Sequence, residues 1–293
     1  MRTSVLRVTL LLFAVVFLSQ KGFSQGTPIQ PCQADSSSNT STAPSGSSPK
    51  KTDVKGSEIL IDASIKPDAD LEKMLKPYTD AVRPLSIVIG RLDGTLKKQG
   101  VGAGAIGNFV ADGIRAEARA KTGQPIALAM INAGGLRKNE IQAGEIRASD
   151  IFELLPFENK LVVLEMTGSQ VTKLMQLATR DAQSGARIEF KWNDQGRAEF
   201  ISGKLIDESG REVAVDNDKL YKIVTIDYLV NLKSGSYALL QEAKSITPLD
   251  ITIRDAIMEY VKAETAAKRA IKSQVDDRFV QIGPDPKTTP VIQ

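Results

Sequence analysis

Three short segments hold the side chains best suited to bind a small polar ligand. The first segment is NAGGLR, residues Asn132 to Arg137, directly after the apolar run PIALAMI. The second is LPF, which ends at Phe157, and the third is TIDYLVN, which contains Tyr228. An asparagine amide both donates and accepts hydrogen bonds, and a guanidinium matches phosphate or carboxylate. Aromatic rings stack on planar ligands. The sequence therefore offers recognition chemistry at these segments.

Each of these side chains also has a structural alternative. Asparagine is favoured in left-handed turns, so Asn132 is suited to such a turn. Arginine is common in surface ion pairs, so Arg137 is suited to one. Phe157 and Tyr228 are suited to ordinary core packing. The residues alone leave both interpretations open.

Histidine and cysteine counts exclude several kinds of catalysis. The 293 residues include no histidine, and the single cysteine is Cys32. A Ser-His-Asp triad, a Cys-His pair, an imidazole base and a histidine-containing two-metal centre are therefore excluded. Magnesium sites built from carboxylates alone stay open. We predict no catalytic residue, metal ligand or cofactor in this chain.

The N-terminus has the pattern of a secretory signal peptide. Arg2 and Arg7 precede an apolar core at Val8–Leu18, and small residues end the segment near Ser24. A membrane anchor is the alternative, but 11 apolar residues are too few to cross a bilayer. We predict export to the periplasm or the medium after removal of residues 1–24, and no transmembrane segment.

A Ser-, Thr- and Pro-rich linker, residues 25–56, follows the predicted signal peptide and is expected to be disordered. Cys32 lies in this linker, where lipidation is an alternative, although Ile29-Gln30-Pro31 does not resemble a lipobox. Residues 1–24 hold three of the 38 basic residues and no acid, so the mature chain has 35 of each sign. This balance predicts no nucleic-acid partner.

The predicted folded domain covers residues 57–283, with an irregular tail at 284–293. Helices are predicted at 70–82, from 106 and from 252, and strands at 86–90, 125–131 and 160–166. Thr167–Gln170 has the sequence of a capping box. Strands within 187–226 are predicted to form one antiparallel meander. The mixture indicates an α+β fold in layers.

Residues 102–107 read GAGAIG, a G-x-G-x-x-G pattern at the start of a helix. A dinucleotide-binding turn is one interpretation, and a glycine-rich approach to a packed helix is the other. The preceding strand ends a dozen residues earlier, and no acid follows the next strand at Ile131-Asn132. This context favours the second interpretation.

In order, the three segments resemble the C-terminal domain of the 5′-nucleotidases. That family has an N-x-G-G-(I/L)-R turn, then L-P-F before an apolar strand and a glycine at a helix start, then (Y/F)-L-x-N. The flanking segments LEKMLKPYTDAV, IGNFVADGI and RDAIMEYV are also similar to family helices. The resemblance covers about residues 57–283.

The resemblance implies a layered αββα sandwich with mixed sheets. It also implies that the ligand is a nucleotide or nucleoside, bound by Asn132, Gly135, Arg137, Phe157 and Tyr228. Family members place their two stacking aromatic residues at the positions of Phe157 and Tyr228, which are thus expected to hold a base between them.

Two local departures alter the expected ligand contacts. Gly100 and Gly102 occupy positions where the family has a pair of arginines, and Lys97 and Lys98 lie slightly upstream. The loop after Asn231 lacks the aspartate that holds the ribose in the family. The family's N-terminal metallophosphoesterase domain, with its Asp, His and Asn metal ligands, has no counterpart in this sequence.

Three functions follow from these observations. In the first, the chain is the recognition part of a split 5′-nucleotidase, and a separate metallophosphoesterase chain supplies the divalent metals. Alternatively, it is a non-catalytic exported binding protein for nucleotides or other phosphorylated small molecules. The third alternative is an envelope interaction module that has lost the site.

Overall fold

The fold is an α+β arrangement of helices and mixed sheets in layers, as expected. It comes from a computed structural model that describes Leu60, Asp62 and residues 64–273 and 275–284. The predicted signal peptide, the whole predicted linker with Cys32, and the tail beyond Pro284 lie outside the described residues.

The described residues form six α-helices and thirteen strands. The helices are α1 Ala69–Val82, α2 Gly104–Thr122, α3 Ala148–Leu154, α4 Gly168–Leu177, α5 Asp227–Val230 and α6 Ile253–Ala266. The first seven strands are β1 Val88–Leu92, β2 Leu96–Lys97, β3 Leu128–Ile131, β4 Glu140–Ile141, β5 Gly144–Arg147, β6 Lys160–Thr167 and β7 Ala182–Ser184. The others are β8 Ala186–Trp192, β9 Ala198–Ile206, β10 Glu212–Val213, β11 Leu220–Ile226, β12 Ser245–Thr252 and β13 Phe279–Gln281.

A five-stranded mixed sheet, in the order β12-β6-β11-β3-β7, forms the centre of the fold. β11 pairs with β6 antiparallel along its whole length and with β3 parallel. All four residues of β3 are buried, as its continuous apolar sequence predicts. Because of these directions, the ends of β3 and β11 and the starts of β6 and β7 lie along one edge.

A second, four-stranded sheet has the order β10-β9-β8-β13. The prediction of one meander through residues 187–226 is therefore wrong in part, because β11 belongs to the five-stranded sheet. The last four residues of β11 are buried, which requires a central strand. Alternating hydrophobicity identifies a strand but does not assign it to a sheet.

Local sequence signals set the helix ends. The Asp68 carboxylate caps α1 by accepting from the backbone N–H groups of Asp70 and Leu71, at 3.0 Å each. The predicted capping box of α4 is confirmed: Thr167 N–H donates to Gln170 Oε1 at 2.8 Å, and Gln170 N–H donates to Thr167 Oγ1.

One face of α1 consists of apolar side chains that are all exposed. They recur at helical spacing, and each is at least half exposed: Leu71, Met74, Leu75, Tyr78 and Val82. No residue of α1 is buried. An isolated helix of 14 residues is marginal in water, so this apolar face is suited to packing against another surface.

Close packing explains the glycines of GAGAIG. A Cβ atom at Gly107, within α2, would lie 1.9 Å from the carbonyl oxygen of Gly102. Gly102 and Gly104 themselves have positive φ angles of 67° and 59°. The segment is a glycine-rich approach to a packed helix, which is the interpretation that the surrounding sequence favoured.

We predict that Gly107→Ala destabilises the protein by about 1–3 kcal/mol, as overpacking of a close contact does. Alanine is the better helix former, so helix propensity alone predicts the opposite sign. Gly123→Ala is the comparison, because its Cβ would have no neighbour within 4 Å. Any loss of stability in that variant comes from the left-handed backbone alone. Urea denaturation gives the free energy of unfolding of each variant and of the wild type. A Gly107→Ala variant as stable as the wild type would contradict the packing argument.

Candidate functional site

The predicted binding residues lie along the shared edge of the five-stranded sheet. Asn132 directly follows β3, Tyr228 lies two residues after β11, and Phe157 lies three residues before β6. The Asp227 carboxylate joins two of these segments, because Oδ1 accepts from the N–H groups of Lys160 at 3.1 Å and Tyr228 at 2.7 Å. The sheet thus brings together residues that are up to 96 positions apart in the sequence.

Asn132 is not in a left-handed turn, which was its structural alternative. Its φ and ψ of −66° and 133° are extended, and its Oδ1 atom is buried without a hydrogen-bond partner among the described residues. A buried acceptor left unpaired costs about 1–3 kcal/mol, which a ligand donor would recover. Asn132 therefore has an unused hydrogen-bond acceptor at this edge.

Gly135 leaves room for the Asn132 amide. A Cβ atom at Gly135 would lie 3.2 Å from Asn132 Oδ1, and one at Gly134 would lie 3.5 Å from Nδ2. Side chains at these positions would press on the amide. The two glycines thus leave room for the Asn132 side chain in the turn after β3.

Arg137 is exposed and has no carboxylate within 4.0 Å in the described part of the chain, so the surface ion-pair alternative is wrong. Its Nη1 donates weakly to the Gly134 carbonyl at 3.4 Å. Lys98 lies nearby, with Nζ donating to the Leu136 carbonyl at 2.7 Å. Burial and the positive charge of Arg137 lower the pKa of Lys98. Two adjacent cations favour an anionic ligand.

Phe157 and Tyr228 are surface rings, at 48% and 49% exposed, so neither is buried in the core. In the described residues, the aromatic pairs are Phe109–Tyr260 and Phe190–Trp192, and neither site ring belongs to one. Both rings therefore stay available to a ligand at this edge. Their opposition across one pocket stays a prediction.

Arg254 fixes the loop that carries Phe157. Its guanidinium is buried, forms an ion pair with Glu158, and lies 4.2 Å from the ring centre of Phe152. Because Glu158 follows Phe157 directly, this ion pair connects the loop to α6.

Asp181 and Tyr237 are site residues that the sequence analysis missed. Tyr237 donates from its hydroxyl to Asp181 Oδ2 at 2.6 Å, and Asp181 Oδ1 accepts from the N–H of Ala133 at 3.2 Å. Together they tie the loop after α5 to the turn that begins at Asn132. The contacts join residues far apart in sequence, and no local motif marks them.

Gly100 and Gly102 cannot be replaced by arginines without change to the backbone. Their φ angles are 72° and 67°, and a Cβ atom at Gly102 would lie 2.2 Å from the ring of Phe279. The loop after Asn231 exposes Ser234 and Ser236. Both departures from the family pattern are thus built into the local structure.

In the described residues, no group of three or more His, Cys, Asp or Glu side chains is arranged to hold a metal ion. Within the same residues, none of the helices combines the length and apolar character needed to cross a bilayer.

We expect the free energy of unfolding to report the titration of Asp181. Burial raises its pKa, against the opposing effects of the Tyr237 hydroxyl and the Ala133 N–H. The unfolded state then releases its proton first, so stability falls as the pH rises from about 3.8 to the raised value and is constant above it. Asp181→Asn removes this fall.

The free energies of unfolding of the wild type and of Asp181→Asn, measured between pH 3.5 and 7, test this expectation. Tyr237→Phe is the matched control: it removes a hydrogen bond that lowers the pKa of Asp181, so its fall in stability should extend to higher pH. A wild-type curve parallel to that of Asp181→Asn would show that the carboxyl group titrates normally.

Solved structures of 5′-nucleotidase type share the fold. The 5′-nucleotidase precursor of Thermus thermophilus superposes with a TM-score of 0.60 and 21% identity, over 74% of this chain and 44% of that one. The NAD nucleotidase of Haemophilus influenzae gives 0.55 and 18%, over 74% and 42%. The expected fold is confirmed.

Curated relatives match with higher identity over shorter stretches. The trifunctional nucleotide phosphoesterase protein YfkN of Bacillus subtilis is 29% identical over 147 residues, which are 47% of this chain and 10% of that protein. The 5′-nucleotidase of Vibrio vulnificus is 30% identical over 168 residues, 53% of this chain and 29% of that protein. The chain thus spans less than a third of either relative.

The family described as 5′-nucleotidase, C-terminal domain, matches residues 87–242, more than half of the chain. The match contains all five predicted binding residues and the sheet edge on which they lie. This chain belongs to the 5′-nucleotidase C-terminal domain family.

Proposed function

We propose that this chain is the nucleotide- or nucleoside-recognition domain of a split 5′-nucleotidase. A separate metallophosphoesterase chain would bind the divalent metals and hydrolyse the phosphate ester. The observation that carries recognition is the sheet edge, where Asn132 has an unpaired amide oxygen beside two exposed rings and the cations Arg137 and Lys98.

Each group at this edge suits one part of a nucleotide. The Asn132 amide can accept from and donate to a base edge, and Phe157 and Tyr228 can cover the base faces. Arg137 and Lys98 can neutralise a phosphate. The two rings also suit a nucleoside, which lacks the phosphate.

Two features support a separate catalytic chain. The 293 residues contain no histidine, so this chain cannot form the family's histidine-containing metal centre. The apolar face of α1, whose side chains are at least half exposed, offers a surface on which another chain can pack. We propose that the separate chain packs on this face.

A non-catalytic binding protein for nucleotides is the second candidate. It is favoured by the altered positions Gly100 and Gly102, which remove two charges from the family's phosphate site. Export after removal of the predicted signal peptide is part of both proposals. The two differ only in the need for a catalytic partner.

Removal of either ring should weaken binding of adenosine and AMP. One stacked base contributes about 1–3 kcal/mol, so Phe157→Ala and Tyr228→Ala should each lower affinity from about fivefold to over a hundredfold. Tyr78→Ala, which removes an exposed tyrosine on α1, is the control and should bind normally. Isothermal titration calorimetry gives the affinities, and unfolding midpoints confirm intact folds. Unchanged affinity in both ring variants would reject the clamp.

The mature protein alone should not hydrolyse AMP when Mg, Mn, Co or Zn is added. The reason is the lack of histidine and of a described carboxylate cluster suited to a metal. Phosphate release is measured on preparations shown by calorimetry to bind AMP. Metal-dependent turnover that stays proportional to this chain through several columns would overturn the need for a partner.

A further inference from the structure

A cavity, which we call the arginine cavity, adjoins the sheet edge, because its lining residue Arg180 lies two residues before Ala182, which pairs with Ile131 of β3. Its volume is about 370 Å³, within the range of small-molecule sites. The turn before α2, the segment after α4 and the β8–β9 hairpin form its walls. The residues that matter are Gly100, Val101, Arg180, Trp192, Arg197 and Glu199.

Arg180 and Arg197 give the arginine cavity a positive charge. Both are exposed, and neither forms an ion pair or a side-chain hydrogen bond with any residue that the structure describes. Glu199 does not neutralise them, because its carboxylate accepts from Asn193 Nδ2 at 2.9 Å and lies 3.8 Å from Lys191 Nζ. Two unpaired guanidinium groups around one space favour an anion between them.

Trp192 gives the arginine cavity an apolar wall in a fixed position. Its ring meets that of Phe190 edge-on, with 5.4 Å between the centroids, and its Nε1 donates to Gln281 Oε1 at 3.0 Å. The hydrogen-bonding capacity of the indole is thereby used, so the ring offers apolar surface. A ligand there combines an anionic group with a less polar part.

Arg180 connects the arginine cavity to the candidate site. It is adjacent in sequence to Asp181, whose carboxylate accepts from Ala133 directly after Asn132. Gly100, on the opposite wall, lies two residues after Lys98, which contacts the same turn through Leu136. The pairing of Ala182 with Ile131 places Arg180 at the sheet edge on which Asn132 lies, so the arginine cavity adjoins the candidate site.

We propose that the arginine cavity binds the phosphate group of the ligand, with Arg180 and Arg197 as cations in addition to Arg137 and Lys98. These two residues would supply the charge that arginines at the positions of Gly100 and Gly102 supply in the family. The inference rests on the proposed recognition of a nucleotide at the sheet edge, and it adds two specificity-determining residues. The contacts are charge-assisted hydrogen bonds from guanidinium to phosphate oxygen.

Calorimetry of the mature protein with AMP, adenosine and inorganic phosphate tests this inference. The wild type should bind AMP at least tenfold more tightly than adenosine. Arg180→Gln and Arg197→Gln should each reduce AMP affinity about tenfold and leave adenosine affinity unchanged. Arg91→Gln is the matched control, because Arg91 is exposed on β1, has no described ion pair and does not line the arginine cavity.

The outcomes separate this inference from the proposed function. Equal wild-type affinities for AMP and adenosine, or an AMP preference kept by both variants, would overturn the arginine cavity and leave nucleoside recognition intact. Equal loss of both ligands in the variants would also overturn it. Binding of neither ligand by the wild type would overturn the proposed function, and inorganic phosphate binding that depends on Arg180 would then still support the cavity.

Discussion

The pairing of β11 with two neighbours is the constraint on which the site depends. Its antiparallel ladder with β6 and its parallel pairing with β3 place the end of two strands and the start of a third at one edge. Thr225 strengthens the parallel pairing, since its hydroxyl donates to the Met130 carbonyl at 2.8 Å. A shift of β11 by one residue would turn its apolar side chains to the opposite faces. Register therefore fixes the position of Tyr228 relative to Asn132.

Much of the local structure could be predicted from the sequence. The capping box at Thr167–Gln170, the buried strand before Asn132 and the helix that ends before Pro84 follow from short-range patterns. These signals depend on hydrogen bonds and burial within a few residues. Their boundaries are correct to within about three residues for α1, β3 and β6, whereas α2 extends to Thr122, well beyond the strongest part of its pattern.

The rest depends on long-range contacts, which single-sequence patterns do not contain. The sheet to which β11 belongs, and the contact between Tyr237 and Asp181, were not predictable from spacing. Even the meeting of Phe157 and Tyr228 at one edge was expected only by resemblance to a family. Periodicity shows which face of an element is buried, but not which element covers it.

The polar chemistry at the edge lowers the stability of the free protein. The unpaired Asn132 oxygen and the buried carboxylate of Asp181 both oppose folding, and both are held by the rigid sheet beneath them. Polar groups that cost stability in the free protein are suited to binding, because a ligand that completes their hydrogen bonds recovers the cost. The same edge thus has incompletely satisfied polar groups next to exposed rings.

The glycines before α2 show why the positive charge must come from other residues. Gly102, Ala103 and Gly104 all have positive φ, and the ring of Phe279 occupies the space that a side chain at Gly102 needs. The left-handed backbone of Ala103 costs about 1 kcal/mol and is held in a buried position. An arginine at Gly102 would require both the turn and β13 to move. Positive charge for a phosphate is therefore available from the turn after β3 and from the arginine cavity, but not from the start of α2.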